Sequence, residues 1–351
     1  MKKTNLANPH IESLEPYMSA RRIGGSGEVW LNANELPFPR QPISLDASEY
    51  HRYPDQGPDQ VQAAYANYAG LQADQVLALR GADEAIDLLL RGFCKAGEDK
   101  IIISSPTYGM YQVCAEIQDA DVIDIPLTAD YQLDVPAITS VDDVKLIFVC
   151  NPNNPTGNSF RREDILAITN HFAGKALVAV DEAYIEFCPQ QTVANELDSF
   201  DNLVVIRTMS KAFGLAGVHV GYLMANEPVM STMRKVAAPY PLADPCAQIA
   251  LQALTQDAVG LMQEQVSQII QIRTEFCNSI ADLPITTAIL PSVANFVLVF
   301  FSSHEAVWKA LTEAGIVARR IPHPRLVESI RFSIGTEREM DRVKEILVGL
   351  T

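Results

Sequence analysis

Short apolar runs rich in β-branched residues recur along the first two thirds of the chain: Val76–Leu79, Ile101–Ile103, Val144–Cys150, Ala176–Val180, Leu203–Arg207 and Val218–Met224. Between them apolar positions fall at three- and four-residue spacing, as in Ala85 to Phe93. A strand that is apolar at consecutive positions is covered on both faces, and strands separated by helices predict a parallel-dominated sheet between helical layers. After Ala225 the texture changes. Helical spacing covers Glu227 to about Ala281, Asn295–Phe301 reads as a strand, Glu305–Ala314 as a helix, Ser329–Ser333 as a strand and Glu337–Leu350 as a helix. This pattern predicts a second, smaller α+β domain. The first stretch carries Gly24, Gly25, Gly27 and several prolines with little periodicity, which predicts an arm packed on something else. The expected division is an arm (1–45) belonging to the small domain, a large domain (46–255) and a small domain (256–351).

Composition narrows the class. At ~150 residues per domain, 351 residues suit about two domains. With 48% hydrophobic and 20% charged residues the chain is globular rather than disordered. Asp and Glu outnumber Lys and Arg by 43 to 27, and a net charge of −16 argues against sequence-independent binding to nucleic acid or anionic membranes. Six cysteines are scattered without a CxxC pair or metal-ligand spacing, which fits reduced thiols. No apolar stretch has the length of a signal peptide or a membrane span, so a cytoplasmic, soluble protein acting on small molecules is expected.

Four loops carry candidate chemistry. Strand Val76–Leu79 runs into Gly81-Ala82-Asp83-Glu84 ahead of a helix. Such a turn aims free N–H groups at whatever sits there, which suits a phosphate and equally suits an ordinary helix cap. Neither GxxxxGK nor GxGxxG is present, so a nucleotide has no support. Asn151-Pro152-Asn153-Asn154-Pro155-Thr156-Gly157 follows a buried strand and offers amides at a strand's C-terminal end, where open α/β sheets place ligands. It also reads as a plain Pro-rich connection. Strand Ala176–Val180 ends in Asp181-Glu182-Ala183-Tyr184, whose carboxylate suits a buried cation or a helix cap. Leu203–Arg207 leads into Thr208-Met209-Ser210-Lys211, where a lysine stands among hydroxyls and small residues. A partly desolvated lysine becomes a nucleophile toward carbonyls, although most lysines are surface charges. A phosphate cradle, an amide, a carboxylate and an amine at one sheet edge match the 5′-phosphate, 3-oxygen, ring nitrogen and aldehyde of pyridoxal 5′-phosphate.

With these residues in view the chain resembles the fold-type-I aminotransferases, and among them the histidinol-phosphate aminotransferases. The resemblance rests on LNANELP, RYPD, RGADEAIDLL, PTYGMY, NPNNPTG, VDEAYIEFCP, RTMSKAFGLAG, APYPL and IRFSIGT, in this order over nearly the whole chain. It implies an α/β fold with a mostly parallel seven-stranded sheet in the large domain, and a homodimer with active sites at the subunit interface. It implies that Lys211 binds the cofactor aldehyde and moves a proton between Cα and C4′, and that Asp181 keeps the pyridine nitrogen protonated. Tyr184 and Asn154 would bond the 3-oxygen, and Tyr108 would stack on the ring. Ala82, Asp83, Thr208 and Ser210 would hold the phosphate, with Tyr53 supplied by the neighbouring protomer. In that family an arginine eight residues after the lysine bonds the phosphate, and here the position is His219. An imidazole offers less than a charged fork, so weaker or more pH-dependent cofactor retention is expected. The alternative is that His219 merely packs in a strand.

The resemblance also implies that Arg331 binds the anionic end of the substrate, helped by Arg319 and Tyr17, with Asn34 nearby. A planar guanidinium grips phosphate and carboxylate alike. Arg319 and Arg320 point to opposite faces of a strand, so only one of them reaches the site. Tyr53 and Tyr240 are candidates to flank an imidazole ring. The expected reaction is ping-pong transfer of the amino group of L-histidinol phosphate to 2-oxoglutarate. The rivals are an aromatic amino acid aminotransferase, a threonine-phosphate decarboxylase-like enzyme and, more remotely, a non-catalytic regulator that senses pyridoxal phosphate.

Overall fold

The computed structural model describes residues 6–16, 26–39, 43–53 and 57–350. Its strands are β1 (Val29–Trp30), β2 (Val76–Leu79), β3 (Lys100–Ile103), β4 (Asp121–Asp124), β5 (Leu146–Cys150), β6 (Leu177–Asp181), β7 (Leu203–Thr208), β8 (Gly221–Ala225), β9 (Thr286–Ile289), β10 (Phe296–Phe301), β11 (Ile316–Val317) and β12 (Ser329–Ser333). Seven of them form one sheet in the order β2-β8-β7-β6-β5-β3-β4. Only β8 runs antiparallel to its neighbours, so the sheet is mostly parallel, as the apolar runs predict.

The alternation of side chains explains why those runs are continuous. Leu77, Leu79, Ile101, Ile103, Leu146 and Phe148 join a core beneath one face, with Ile86 and Leu89 of the Gly81–Phe93 helix. Val76, Ala78, Ile102, Ile147 and Val149 join the core on the other. Both faces are dry, so neither set can be polar.

In the seven-stranded sheet two strand readings need correction, and outside it β1, β9 and β11 are strands the sequence reading does not name. β4 has the sequence Asp-Val-Ile-Asp at the sheet edge with exposed aspartates, and it carries no apolar run to betray it. The run Val218–Met224 becomes a strand only from Gly221. The carbonyl of Leu215 accepts the N–H groups of both Val218 (3.0 Å) and His219 (3.2 Å), and His219 takes φ 59°, so the chain is still turning there. Gly221 is required where β8 meets the turn after β2: a Cβ would lie 2.3 Å from the Gly81 carbonyl carbon. The helical spacing from Glu227 to Ala281 resolves into three helices, Glu227–Val236, Asp244–Ala253 and Gln256–Ile280. Proline stands at the start of the first two, where its missing N–H costs nothing.

Beyond the long helix, β12, β10 and β9 form an antiparallel sheet. β1 pairs in parallel with β11, and Leu31 then bridges to both neighbours, donating to Val317 O (2.8 Å) and accepting from Ser333 N (2.8 Å). The Arg325 guanidinium reaches the carbonyls of Leu127 (2.6 Å) and Thr128 (2.8 Å) and stacks over Tyr131. Among the described residues no helix is long and apolar enough to cross a membrane, and no cluster of three His, Cys, Asp or Glu could hold a metal ion.

Beneath the sheet lies a buried charged group. Arg207 donates from Nε to Glu182 (2.9 Å) and from Nη2 to the Thr192 hydroxyl (2.8 Å), while the Val193 N–H donates to Glu182 (2.7 Å). Glu186 is buried beside them, and among the described residues neither of its carboxylate oxygens has a hydrogen-bond partner. Burial pushes its carboxyl up from 4.5 to about 7, against the pull of Arg207. A raised carboxyl means that the folded chain binds this proton more tightly than the unfolded chain. Its contribution is therefore most favourable below about pH 4.5, declines as pH rises to about 7 and is flat above that. Glu186→Gln should remove this share of the pH dependence, on the order of a few kcal/mol at most. Urea midpoints between pH 5 and 7.5 check it: the difference between variant and parent should grow with pH, and parallel curves would contradict it.

Candidate active site

The parallel strands deliver their C-terminal ends to one edge of the sheet, and there β5, β6 and β7 stop at Cys150, Asp181 and Thr208. Asp181 is 2% exposed. It accepts from the Tyr111 hydroxyl (2.8 Å) and the Ala183 N–H (3.0 Å), and burial still raises its carboxyl to about 6. Tyr111 belongs to PTYGMY, but its part escaped the sequence reading. It is fully buried, stacked on Phe148, and spends its hydroxyl on Asp181.

Lys211 extends from the loop after β7, and its Nζ donates to the carbonyl of Ala33 (3.0 Å). Burial and then the positive charge of Arg331 lower this amine from 10.5 to about 8. The neighbouring carbonyl, of Asn32, takes Arg331 Nη2 at 2.7 Å, and Arg331 Nη1 donates to Asn154 Oδ1 at 2.5 Å. One short arm segment thus holds both cations of the site through its main chain. Asn34, buried and with φ 54°, fixes that segment. Its N–H donates to the Ser333 hydroxyl (2.7 Å), its carbonyl accepts from Asn295 (2.9 Å) and its amide donates to the Tyr184 hydroxyl (3.0 Å). Tyr184 is buried against Phe296, with its ring centroid 5.8 Å from Lys211 Nζ.

The Pro-rich loop divides its asparagines. Asn151 accepts from the N–H of Phe160 (2.8 Å), and Asn153 donates to Pro106 O (2.9 Å) and Thr156 (2.7 Å). Those two hold the loop together, and Asn154 is the one aimed at Arg331.

At the other end of the cluster, Gly81 opens its helix with φ 77°. Ala82 and Asp83 form the first turn, whose N–H groups lack intrahelical partners. The Asp83 carboxylate accepts from the Tyr108 hydroxyl (3.0 Å), and Tyr108 packs edge-on to Tyr111. The Thr208 hydroxyl donates to that of Ser210 (3.0 Å). The ring of His219 stands over Gly81, within 3.1 Å of where a Cβ would be. His219 is thus at the turn rather than inside a strand.

Other expected residues are less closely joined. Arg319 and Arg331 exchange main-chain hydrogen bonds (3.0 and 2.8 Å), while Arg320 turns away to Glu305 and the face of Trp308. Tyr53 and Tyr240 stack on one another at 4.3 Å, both exposed. Among the described residues neither has a hydrogen bond or ring contact to the Lys211 cluster. Tyr17 lies outside the described residues. The carbonyls of Asn32 and Ala33 were invisible in the sequence, because a main-chain acceptor leaves no residue-type signal.

Residues 26–347 match the model of the family "Aminotransferase class I and II". The chain is 46% identical to the histidinol-phosphate aminotransferase of Aeromonas salmonicida (strain A449) over 99% of this chain and 98% of that protein. It is 45% identical to that of Yersinia enterocolitica serotype O:8, over 99% and 93%. The crystal structure of histidinol-phosphate aminotransferase from Sinorhizobium meliloti, in complex with pyridoxal-5′-phosphate, shares the fold with a TM-score of 0.88 at 23% identity over the whole of both chains. The chain belongs to the class I and II aminotransferases and, within them, to the histidinol-phosphate aminotransferase family.

Proposed function

We propose that this chain is a histidinol-phosphate aminotransferase that uses pyridoxal 5′-phosphate. It moves the amino group of L-histidinol phosphate to 2-oxoglutarate by ping-pong chemistry, giving imidazole acetol phosphate and L-glutamate in L-histidine biosynthesis. The observation that carries the reading is the convergence of a softened amine, a buried carboxyl and an anchored guanidinium at one sheet edge. Kinship at 46% identity over full length to proteins of that name supports the substrate. We further read it as a cytoplasmic homodimer, with Tyr53 of each protomer serving the other's site.

The residues present fit the cofactor. Asp181 is a dry carboxyl with two donors and no cation within its own hydrogen bonds, which suits a protonated ring nitrogen. When bound, the cofactor supplies an aldehyde for the amino group and a cationic ring that draws electrons from the substrate's Cα.

The protein does the rest. Asp181, ionised above about pH 6 and more so beside a cation, keeps the ring nitrogen protonated. Lys211 Nζ, its basicity lowered to about 8, has a neutral fraction near neutral pH and would be the group that moves a proton between the substrate's Cα and the cofactor's C4′. Tyr184 and Asn154 would bond the 3-oxygen, and Tyr108 would cover the ring. The Ala82–Asp83 turn and the hydroxyls of Thr208 and Ser210 receive the phosphate. Arg331, positioned by Asn154 and Asn32, would grip the substrate's phosphate ester and later the carboxylate of 2-oxoglutarate. The family resemblance adds Arg319, Asn34, Tyr17 and Tyr240 as further substrate-binding residues.

A donor panel assayed with 2-oxoglutarate tests the reading. Histidinol phosphate should be the best donor, and no carbon dioxide should be released. A higher rate with tyrosine or phenylalanine would reassign the substrate. Lys211→Ala should lose turnover by several orders of magnitude and lose the borohydride-trapped pyridoxyl label on peptide mass analysis. Tyr111→Phe removes one of two donors to the Asp181 carboxylate. It should lower kcat about tenfold while leaving the KM for histidinol phosphate within twofold, the size expected for one hydrogen bond to a charged group.

A further inference from the structure

The loop that carries Lys211 is closed on itself. Met209 N–H donates to Val220 O (2.9 Å), Leu215 N–H to Met209 O (3.0 Å) and His219 N–H to Leu215 O (3.2 Å). His219 is exposed and adopts a left-handed backbone, φ 59°, which residues other than glycine rarely take. That conformation carries its imidazole back over the turn before the Gly81–Phe93 helix. A Cβ built on Gly81 would meet Cε1 at 2.7 Å, Nδ1 at 3.0 Å and Nε2 at 3.1 Å. The ring edge that bears both nitrogens therefore faces the start of the helix.

This placement makes the charge of the ring conditional. The first turn of a helix presents unpaired N–H groups and the positive end of the helix dipole. Both favour an anion at that turn, and a phosphate dianion bound there would favour the protonated ring, because an opposite charge within a few ångström stabilises the charged form. The other charged groups around the turn are otherwise engaged. Glu84 accepts from the main chain and guanidinium of Arg80, Asp83 accepts from the Tyr108 hydroxyl, and Lys211 on the same loop is turned to Ala33 O. His219 shares in none of these bonds.

We propose that His219 links a proton to the phosphate of the cofactor: the imidazole takes up H⁺ from solvent as phosphate docks at the Gly81 turn and returns it on release. The inference rests on the pyridoxal phosphate reading and adds a direction to it, namely that retention weakens as the solution becomes alkaline.

The test measures cofactor dissociation from the holoenzyme by equilibrium dialysis between pH 6.5 and 8.5, in the parent, His219→Gln and His219→Arg, with folding checked by circular dichroism. One linked proton, with its affinity raised tenfold by the dianion, makes parental retention fall about fivefold more than that of His219→Gln across this range. His219→Arg should retain the cofactor more tightly than the parent and lack the extra fall. The second ionisation of the phosphate itself is common to all three and cancels in the comparison. Pyridoxal, which has no phosphate, should show the same profile in all three proteins. Parallel curves for parent and His219→Gln would overturn the proposal while leaving the pyridoxal phosphate reading standing. Failure of all three to hold the cofactor at any pH would overturn that reading and the proposal together.

Discussion

Two cations, Lys211 and Arg331, share one desolvated pocket, and their mutual repulsion is tolerated because adjacent main-chain carbonyls take one each. Ala33 O faces the amine and Asn32 O the guanidinium. The consequence is chemical as well as structural. Arg331 helps to lower the amine toward neutrality, and Ala33 O keeps the lowered amine in a fixed place. A carboxylate at either position would fasten the cation more firmly and raise its basicity, which would work against the nucleophilic amine proposed above. A neutral carbonyl orients without paying back the proton affinity that burial removes.

The sheet makes this arrangement possible at a distance from the chemistry. Asp181 and Glu182 are successive residues, as are Arg207 and Thr208, and each pair straddles the sheet. On one side are Asp181 and Thr208, in the proposed site. On the other, Glu182 and Arg207 form a buried ion pair completed by Thr192 and the Val193 N–H. Removing one partner of such a pair strands the other, at a typical cost of about 3–5 kcal/mol. The two strand ends are thereby tied together from beneath, so the groups above them keep their spacing.

Much of this was legible in the sequence, and the limits have physical causes. Continuous apolar runs gave away β2, β3, β5, β6 and β7 because both of their faces are dry, whereas β4, wet at one edge, carried no such mark. Side-chain chemistry placed Lys211 and Asp181 among the candidates because an amine and an acid at neighbouring strand ends are rare enough to notice, whereas Arg331, in mid-strand, is reached only through the family resemblance. Tyr111 drew no reading of its own, since its hydroxyl counts only once Asp181 is seen beside it. The turn at Val218–Val220 read as strand because β-branched residues look alike whether or not their N–H groups are used locally. Tyr53 and Tyr240, which stack on each other on the surface, show the converse: an aromatic that resembles a site residue can first find a partner of its own kind.

The hydrogen bond from Arg331 to Asn32 joins residues 299 positions apart. Asn34 and Ser333 span the same separation. During synthesis on the ribosome the arm emerges before the parallel sheet and its partner strand after it, so the nascent chain carries the strands of that sheet well before it owns a finished pocket. Closure of that long loop is the entropically expensive step. A polypeptide arrested before β12 would keep the lysine and the aspartate, yet lack the anchor that gives the arm its seat.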